Sequence, residues 1–162
     1  MLSDKMQNAI NQQIRHELYS SYLYLAMSVY CDGIHLPGFA HWLKMQADEE
    51  RSHALKLVEY VGDRGGQVVF YGLDQPPHQY KSPLDVFEQV LAHEKKVTAM
   101  IHDLYGVAVA ENDTATQIEL QWFIKEQVEE EKNASMIVEQ LKMIGEHRAI
   151  LFSVDRHLAS RS

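Results

Sequence analysis

Glutamates stand in the middle of apolar helical stripes at four places in this chain, and few folds can bury them. The second of four long periodic segments, followed at i, i+3, i+4, i+7 spacing, reads Phe39, Leu43, Gln46, Glu50, His53, Leu57 and Tyr60. The fourth reads Leu120, Phe123, Gln127, Glu130, Ala134, Ile137 and Leu141. In the first, Ile10 and Ile14 lead to Glu17 and then to Ser21 and Tyr24. In the third, Phe87 and Val90 lead to Glu94, followed by Val97 and Ile101.

The four segments run from about Asp4 to Asp32, from Pro37 to Arg64, from Ser82-Pro83 to about Ala110, and from after Asn112-Asp113 to about Met143. Ser3 or Asp4 can cap the first, Pro37 suits a first turn, and Gly65-Gly66 and Gly145 follow the second and fourth. At the α-helical rise each spans roughly 40 Å. An amphipathic fifth segment, about Glu146 to Ala159, sets Ile150, Leu151, Val154 and Leu158 on one face. Short connections make segments one and two, and three and four, antiparallel hairpins. Between two and three, Gly65 to Lys81 holds Gly65, Gly66, Gly72, Pro76 and Pro77. Fully extended, that stretch reaches roughly 55 Å, enough to travel the length of a bundle. The expectation is one all-α domain over 1–162, a four-helix bundle with a long crossover and a short fifth helix.

The segment midpoints fall at roughly residues 18, 50, 96 and 128. Glu17, Glu50 with His53, Glu94, and Gln127 with Glu130 each lie within about one turn of them. In an antiparallel bundle of equal helices these midpoints share one layer, so six polar side chains converge in the core. A single helix could turn its Glu to the surface; four doing so at one height is a poor account of the pattern. Burying an unpaired carboxylate costs about several kcal/mol, and no Lys or Arg occupies these stripes. Two divalent cations would balance four glutamates, and His53 offers a neutral nitrogen. Carboxylates with one histidine and no thiolate suit Fe or Mn, with Zn a competitor.

Net charge is −8 with His neutral, which argues against nucleic acid and favours small cations. The longest apolar run falls short of the ~20 residues of a membrane span. One cysteine, Cys31, excludes an intrachain disulfide framework and, with no apolar leader at the N-terminus, points to the cytoplasm.

This constellation resembles the ferritin-like di-iron carboxylate family, whose bundle cores hold two lone Glu and two Glu-x-x-His motifs. Glu17 and Glu94 stand as the lone pair and Glu50-x-x-His53 as one motif. The second motif is replaced by Gln127-x-x-Glu130, a departure that resembles the non-haem bacterial ferritins. The resemblance implies a first iron site of Glu17, Glu50 and His53, with Glu50 bridging to a second of Glu94 and Glu130, and Gln127 beside it. It implies a weaker third site at Glu49, Glu126 and Glu129 with Glu130, although Glu129-Glu130-Glu131 also reads as a solvated acidic face. Tyr24 matches a tyrosine beside the di-iron centre, and Trp122 a nearby aromatic that assists electron supply or simply packs. The implied activity is ferroxidase: two Fe(II) per subunit are oxidised by O₂ or H₂O₂, and ferric oxide is stored inside a homo-oligomeric shell of twenty-four subunits.

Rival readings are distinguishable. Bacterioferritin binds haem through a methionine just before the His of Glu-x-x-His; here that residue is Ser52, so no haem is expected. Rubrerythrin-like peroxidases need more cysteines. A DNA-protecting mini-ferritin builds its site between subunits and lacks the fifth helix, and a cytokine-like bundle would carry Leu where Glu stands. A shell subunit that binds metal without oxidising it remains the alternative to an enzyme. Asp113 and Glu119 are the acidic candidates for an iron channel near the start of the fourth helix.

Overall fold

The computed structural model describes residues 1–162 and contains five helices: α1 (Asp4–Gly33), α2 (Pro37–Asp63), α3 (Pro83–Ala110), α4 (Thr114–Ile144) and α5 (Arg148–Leu158). The boundaries are those of local chemistry. Ser3 accepts the Met6 N–H and Ser82 the Asp85 N–H, each satisfying an orphan amide of a first turn. Asp113 caps α4 by accepting the Thr116 N–H at 3.1 Å. Asn112 takes a left-handed conformation (φ 53°) in the tight α3–α4 turn, a region Asn tolerates better than most residues.

α1 packs along α2 and α3 along α4, as the short connections require. Gln67 to Tyr80 then travel beside α1. The Gln67 N–H donates to Gln7 Oε1 at 2.7 Å, and Asn11 Nδ2 donates to the Gln67 carbonyl at 2.9 Å. Arg15 Nε donates to the Gly72 carbonyl at 2.9 Å, and Tyr80 packs on Tyr30 at 5.2 Å. The crossover thus climbs from residue 7 to residue 30 of α1, which is why a long stretch without helix or strand is held in place.

Core packing divides in two. Eighteen buried residues, including Tyr24, Met27, Phe39, Leu43 and Phe87, form one cluster. Eleven others, including Ile10, Ile14, Leu57, Ile101 and Phe123, form a second. The polar residues at the helix midpoints lie between them.

α5 docks back on its own bundle. Leu158 is buried in the larger cluster, with Leu151 and Val154 packed against it. Ile150 does not join that face: it lies half exposed, near Phe152 in sequence, which is exposed too. α2 has no side-chain cap from its own sequence neighbours. Asp155 of α5 supplies one, its Oδ1 accepting the Phe39 N–H at 2.9 Å. The approach is so close that a Cβ on Gly38 would lie 1.7 Å from the Asp155 carbonyl oxygen. Gly38→Ala is therefore expected to release α5 while leaving α1–α4 folded. Limited trypsin digestion should cut at Arg148 and Arg156 much faster, with little loss of helical circular dichroism.

Candidate metal centre

Glu17 and Glu94 come from α1 and α3, Glu50 and His53 from α2, and Gln127 and Glu130 from α4. All six are buried, Glu17, Glu50 and Glu94 each to 1% exposure. One oxygen each of Glu17 and Glu50 lies within 4.8 Å of a His53 nitrogen and of the other, and one oxygen each of Glu50, Glu94 and Glu130 meets the same limit. Glu50 belongs to both groups and is the natural bridge between them. Two ions a few Å apart would each find three protein donors.

Amides and a phenol tie up part of this donor set. Gln13 Nε2 donates to Glu17 Oε1 at 2.8 Å. Gln46 Nε2 donates to Glu50 Oε1 at 3.0 Å and to Glu130 Oε2 at 2.7 Å. Glu94 accepts from the Tyr24 hydroxyl and from Gln127 Nε2 at 3.1 Å. Two carboxylate oxygens, Glu17 Oε2 and Glu50 Oε2, are buried without a hydrogen-bond partner. Orphaned buried acceptors are rare and costly. Glu50 Oε2 lies 3.5 Å from His53 Nδ1, and Glu17, Glu50 and His53 each offer a ligand atom within 4.8 Å of the others, so the residues present fit a bound cation there.

Electrostatics agree. Desolvation holds the Glu17 and Glu50 carboxyls well above the usual carboxylate range, reinforced for Glu17 by Glu50 and for Glu50 by Glu94 and Glu130. Desolvation also raises Glu94, against the lowering effect of the Tyr24 and Gln127 hydrogen bonds. Glu130 is pushed up to about 8 by burial and then by Glu94 and Glu49. Tyr24 is raised in the same field. Without cations the layer therefore holds protons, and a cation that binds must displace them.

Beside this layer a second arrangement opens toward solvent. One ligand atom each from Glu49, His53, Glu126 and Glu130 lies within 4.8 Å of the others. Glu129 is exposed and outside that group, though it lines the same pocket of about 420 Å³. His53 and Glu130 are thus shared between the inner layer and this outer group, which spacing alone did not reveal for His53; of the two, Glu130 also lines the pocket. Trp122 sets its ring edge-on against His53 at 5.3 Å. Ser52 is exposed, with its hydroxyl donating to the Glu49 carbonyl.

Sequence reasoning overlooked the amides. Gln13 precedes Glu17, and Gln46 precedes Glu50, by four residues, a spacing that places an amide against a carboxylate on one helix face. That repeated Gln-x-x-x-Glu was visible. His93 went unassigned because its partner is remote: Ser20 Oγ lies 2.8 Å from its Nε2, and Tyr19 and Tyr24 pack on its ring. Burial lowers this imidazole to about 4. Asp113 and Glu119 carry countercharges within their own chain, Asp113 with Arg64 at 3.1 Å and Glu119 with Lys56 at 3.2 Å.

A bundle with a midpoint layer of carboxylates, one histidine and a long crossover defines the ferritin-like class. Residues 7–144 match the family described as Ferritin-like domain, and the chain belongs to it. It is 44% identical over 161 residues to a bacterial non-heme ferritin of Bacteroides fragilis (strain 638R), covering 99% of this chain and 100% of the relative. A bacterial non-heme ferritin of Staphylococcus haemolyticus (strain JCSC1435) is 38% identical over 162 residues, covering 100% and 98%. Among solved structures, an open pore ferritin from the hyperthermophilic archaeon Archaeoglobus fulgidus matches with a TM-score of 0.98 at 46% identity, over 99% of this chain and 98% of that one.

The raised carboxyls make a pH prediction with a definite sign. Between the ordinary carboxylate value of 4.5 and about 8, the folded metal-free protein binds more protons than the unfolded chain. Its stability should fall as pH rises through that window, and Glu130→Gln should flatten the fall. Thermal unfolding of the metal-free protein at pH 5 to 8, with and without Zn(II), measures both; a saturating divalent ion is expected to reverse the trend.

Proposed function

We propose that this chain is an iron-storage ferritin subunit with ferroxidase activity, binding two Fe(II) per subunit as substrate in the midpoint layer. The observation that carries the reading is the pair of buried oxygens on Glu17 and Glu50 that accept no hydrogen bond, set beside His53 within a layer of four carboxylates. Glu17, Glu50 and His53 hold one Fe(II); Glu94 and Glu130, with Glu50 bridging, hold the other. Gln127 and Tyr24 orient Glu94 through their hydrogen bonds.

Each Fe(II) gives up one electron. With H₂O₂ as oxidant, two electrons and two protons yield two waters; with O₂, they yield one H₂O₂. Holding both ions within reach of one oxidant makes this a paired event, where free Fe(II) would need a chance encounter. The four carboxylates then match the growing positive charge better than neutral ligands would.

Shell assembly, with twenty-four copies, accounts for the apolar residues the single chain leaves outside. Tyr22, Leu25 and Val29 repeat along one face of α1, and Val69, Phe70 and Tyr71 stand out from the crossover, all exposed. A cytoplasmic location fits the buried free thiol of Cys31, and no helix is long and apolar enough to cross a membrane. The non-oxidising alternative has no specific observation in its favour, since the metal-ligating groups stand together.

His53→Ala tests the assignment. Stopped-flow absorbance should show the fast oxidation of the first two Fe(II) per subunit reduced by ~10²-fold or more, because orientation of both ions is lost. An unchanged initial rate would falsify the role given to His53. A separate expectation concerns the open pocket. Glu49→Ala with Glu126→Ala should leave that first oxidation nearly intact and change the number of Fe(II) consumed per O₂, read with an oxygen electrode.

A further inference from the structure

The pocket of about 420 Å³ beside the metal layer is lined by Glu49, Glu126, Glu129 and Glu130, and one Arg stands among them, Arg161. This residue is next to last in the sequence and reaches α2 only because α5 docks there. Its Nη2 donates to Glu49 Oε2 at 2.6 Å and its Nη1 to Gln46 Oε1 at 2.9 Å and to the Trp42 carbonyl at 3.2 Å. The guanidinium lies over the Trp42 ring at 4.6 Å. The backbone is held separately, the Arg161 carbonyl lying 2.6 Å from His41 Nε2.

Two consequences follow from the donor chemistry. A guanidinium only donates, so the bond to Gln46 Oε1 fixes which way that amide faces. Its Nε2 is thereby aimed at Glu50 and Glu130. At the same time the positive charge sits on Glu49, which lines the pocket with Glu126 and Glu130 and offers a ligand oxygen within 4.8 Å of theirs.

We propose that Arg161 is a tethered stand-in cation for the pocket. It neutralises Glu49 and sets Gln46 while no ion is bound there, and its side chain swings off Glu49 when a divalent ion binds to Glu49, Glu126 and Glu130. The His41 contact keeps the tail backbone docked, so the exchange needs rotation about side-chain bonds only. Arg161 is a positioning residue in this scheme, and it weakens the pocket's affinity relative to the inner pair. An ion in the pocket is therefore held loosely enough to move on. The inference rests on the assignment of the pocket as a metal site.

Isothermal titration of the full-length protein with Zn(II), which has no redox chemistry, tests it. Arg161→Gln should tighten the third and weakest class of site by roughly three- to tenfold, the effect of removing one partly exposed competing charge. The two inner sites should change by less than the third, because Arg161 reaches Glu50 and Glu130 only through Gln46 and contacts neither Glu17 nor Glu94. Arg161→Lys keeps the charge and should return the third site toward the wild-type affinity. In a Trp122→Phe background, emission from Trp42 should shift at the third equivalent of Zn(II), and Arg161→Gln should abolish that shift. Equal or weaker third-site binding in Arg161→Gln, or parallel shifts at all sites, would overturn the role of Arg161 alone. Absence of a third Zn(II) from both wild type and variant would overturn the pocket assignment, and this inference with it.

Discussion

Four carboxylates buried in one layer are the constraint on which the rest of this structure depends. Each loses its hydration, and each repels the others. The protein offsets this with amide donors at Gln13, Gln46 and Gln127 and with the Tyr24 hydroxyl. That compensation is incomplete, because Glu17 Oε2 and Glu50 Oε2 stay unpaired. The fold tolerates the deficit because two apolar clusters clamp the layer from either side. Function follows from the same deficit: a site fully satisfied by its own protein would have no reason to take up a cation.

The apolar clusters also explain the length of the helices. Each of the four long helices extends past the layer on both sides and contributes residues to both clusters. The crossover contributes by leaving α2 and α3 free to run as the topology requires while binding to the outer side of α1 through Gln7, Asn11 and Arg15. These contacts join α1 side chains to the crossover's own backbone amides and carbonyls.

α5 links the ends of the chain to its chemistry. Asp155 provides the cap that α2 lacks, and Gly38 permits the contact. This brings the tail to the mouth of the pocket, where Arg161 meets Glu49 and Gln46. Through the residues that follow it, this short helix reaches the side chains next to the candidate metal centre.

Much of this was readable without coordinates. The helix boundaries follow from caps and breakers that act within a few residues. The shared height of Glu17, Glu50, Glu94 and Glu130 follows from equal helix lengths, since the rise per residue is constant. Local periodicity likewise placed Gln127 and Tyr24 on the core-facing stripes, and the family resemblance set them beside the centre. Contacts between residues far apart in sequence were different. That Gln46 joins Glu50 to Glu130, that His53 belongs to both the inner group and the outer one with Glu49 and Glu126, and that Glu129 lies outside that outer group depend on helix rotation, which periodicity settles only coarsely. Arg161 was invisible for a stronger reason. Its partners lie over a hundred residues earlier, and only the docking of α5, through Asp155 on the α2 N-terminus, decides where the last residues of the chain come to rest.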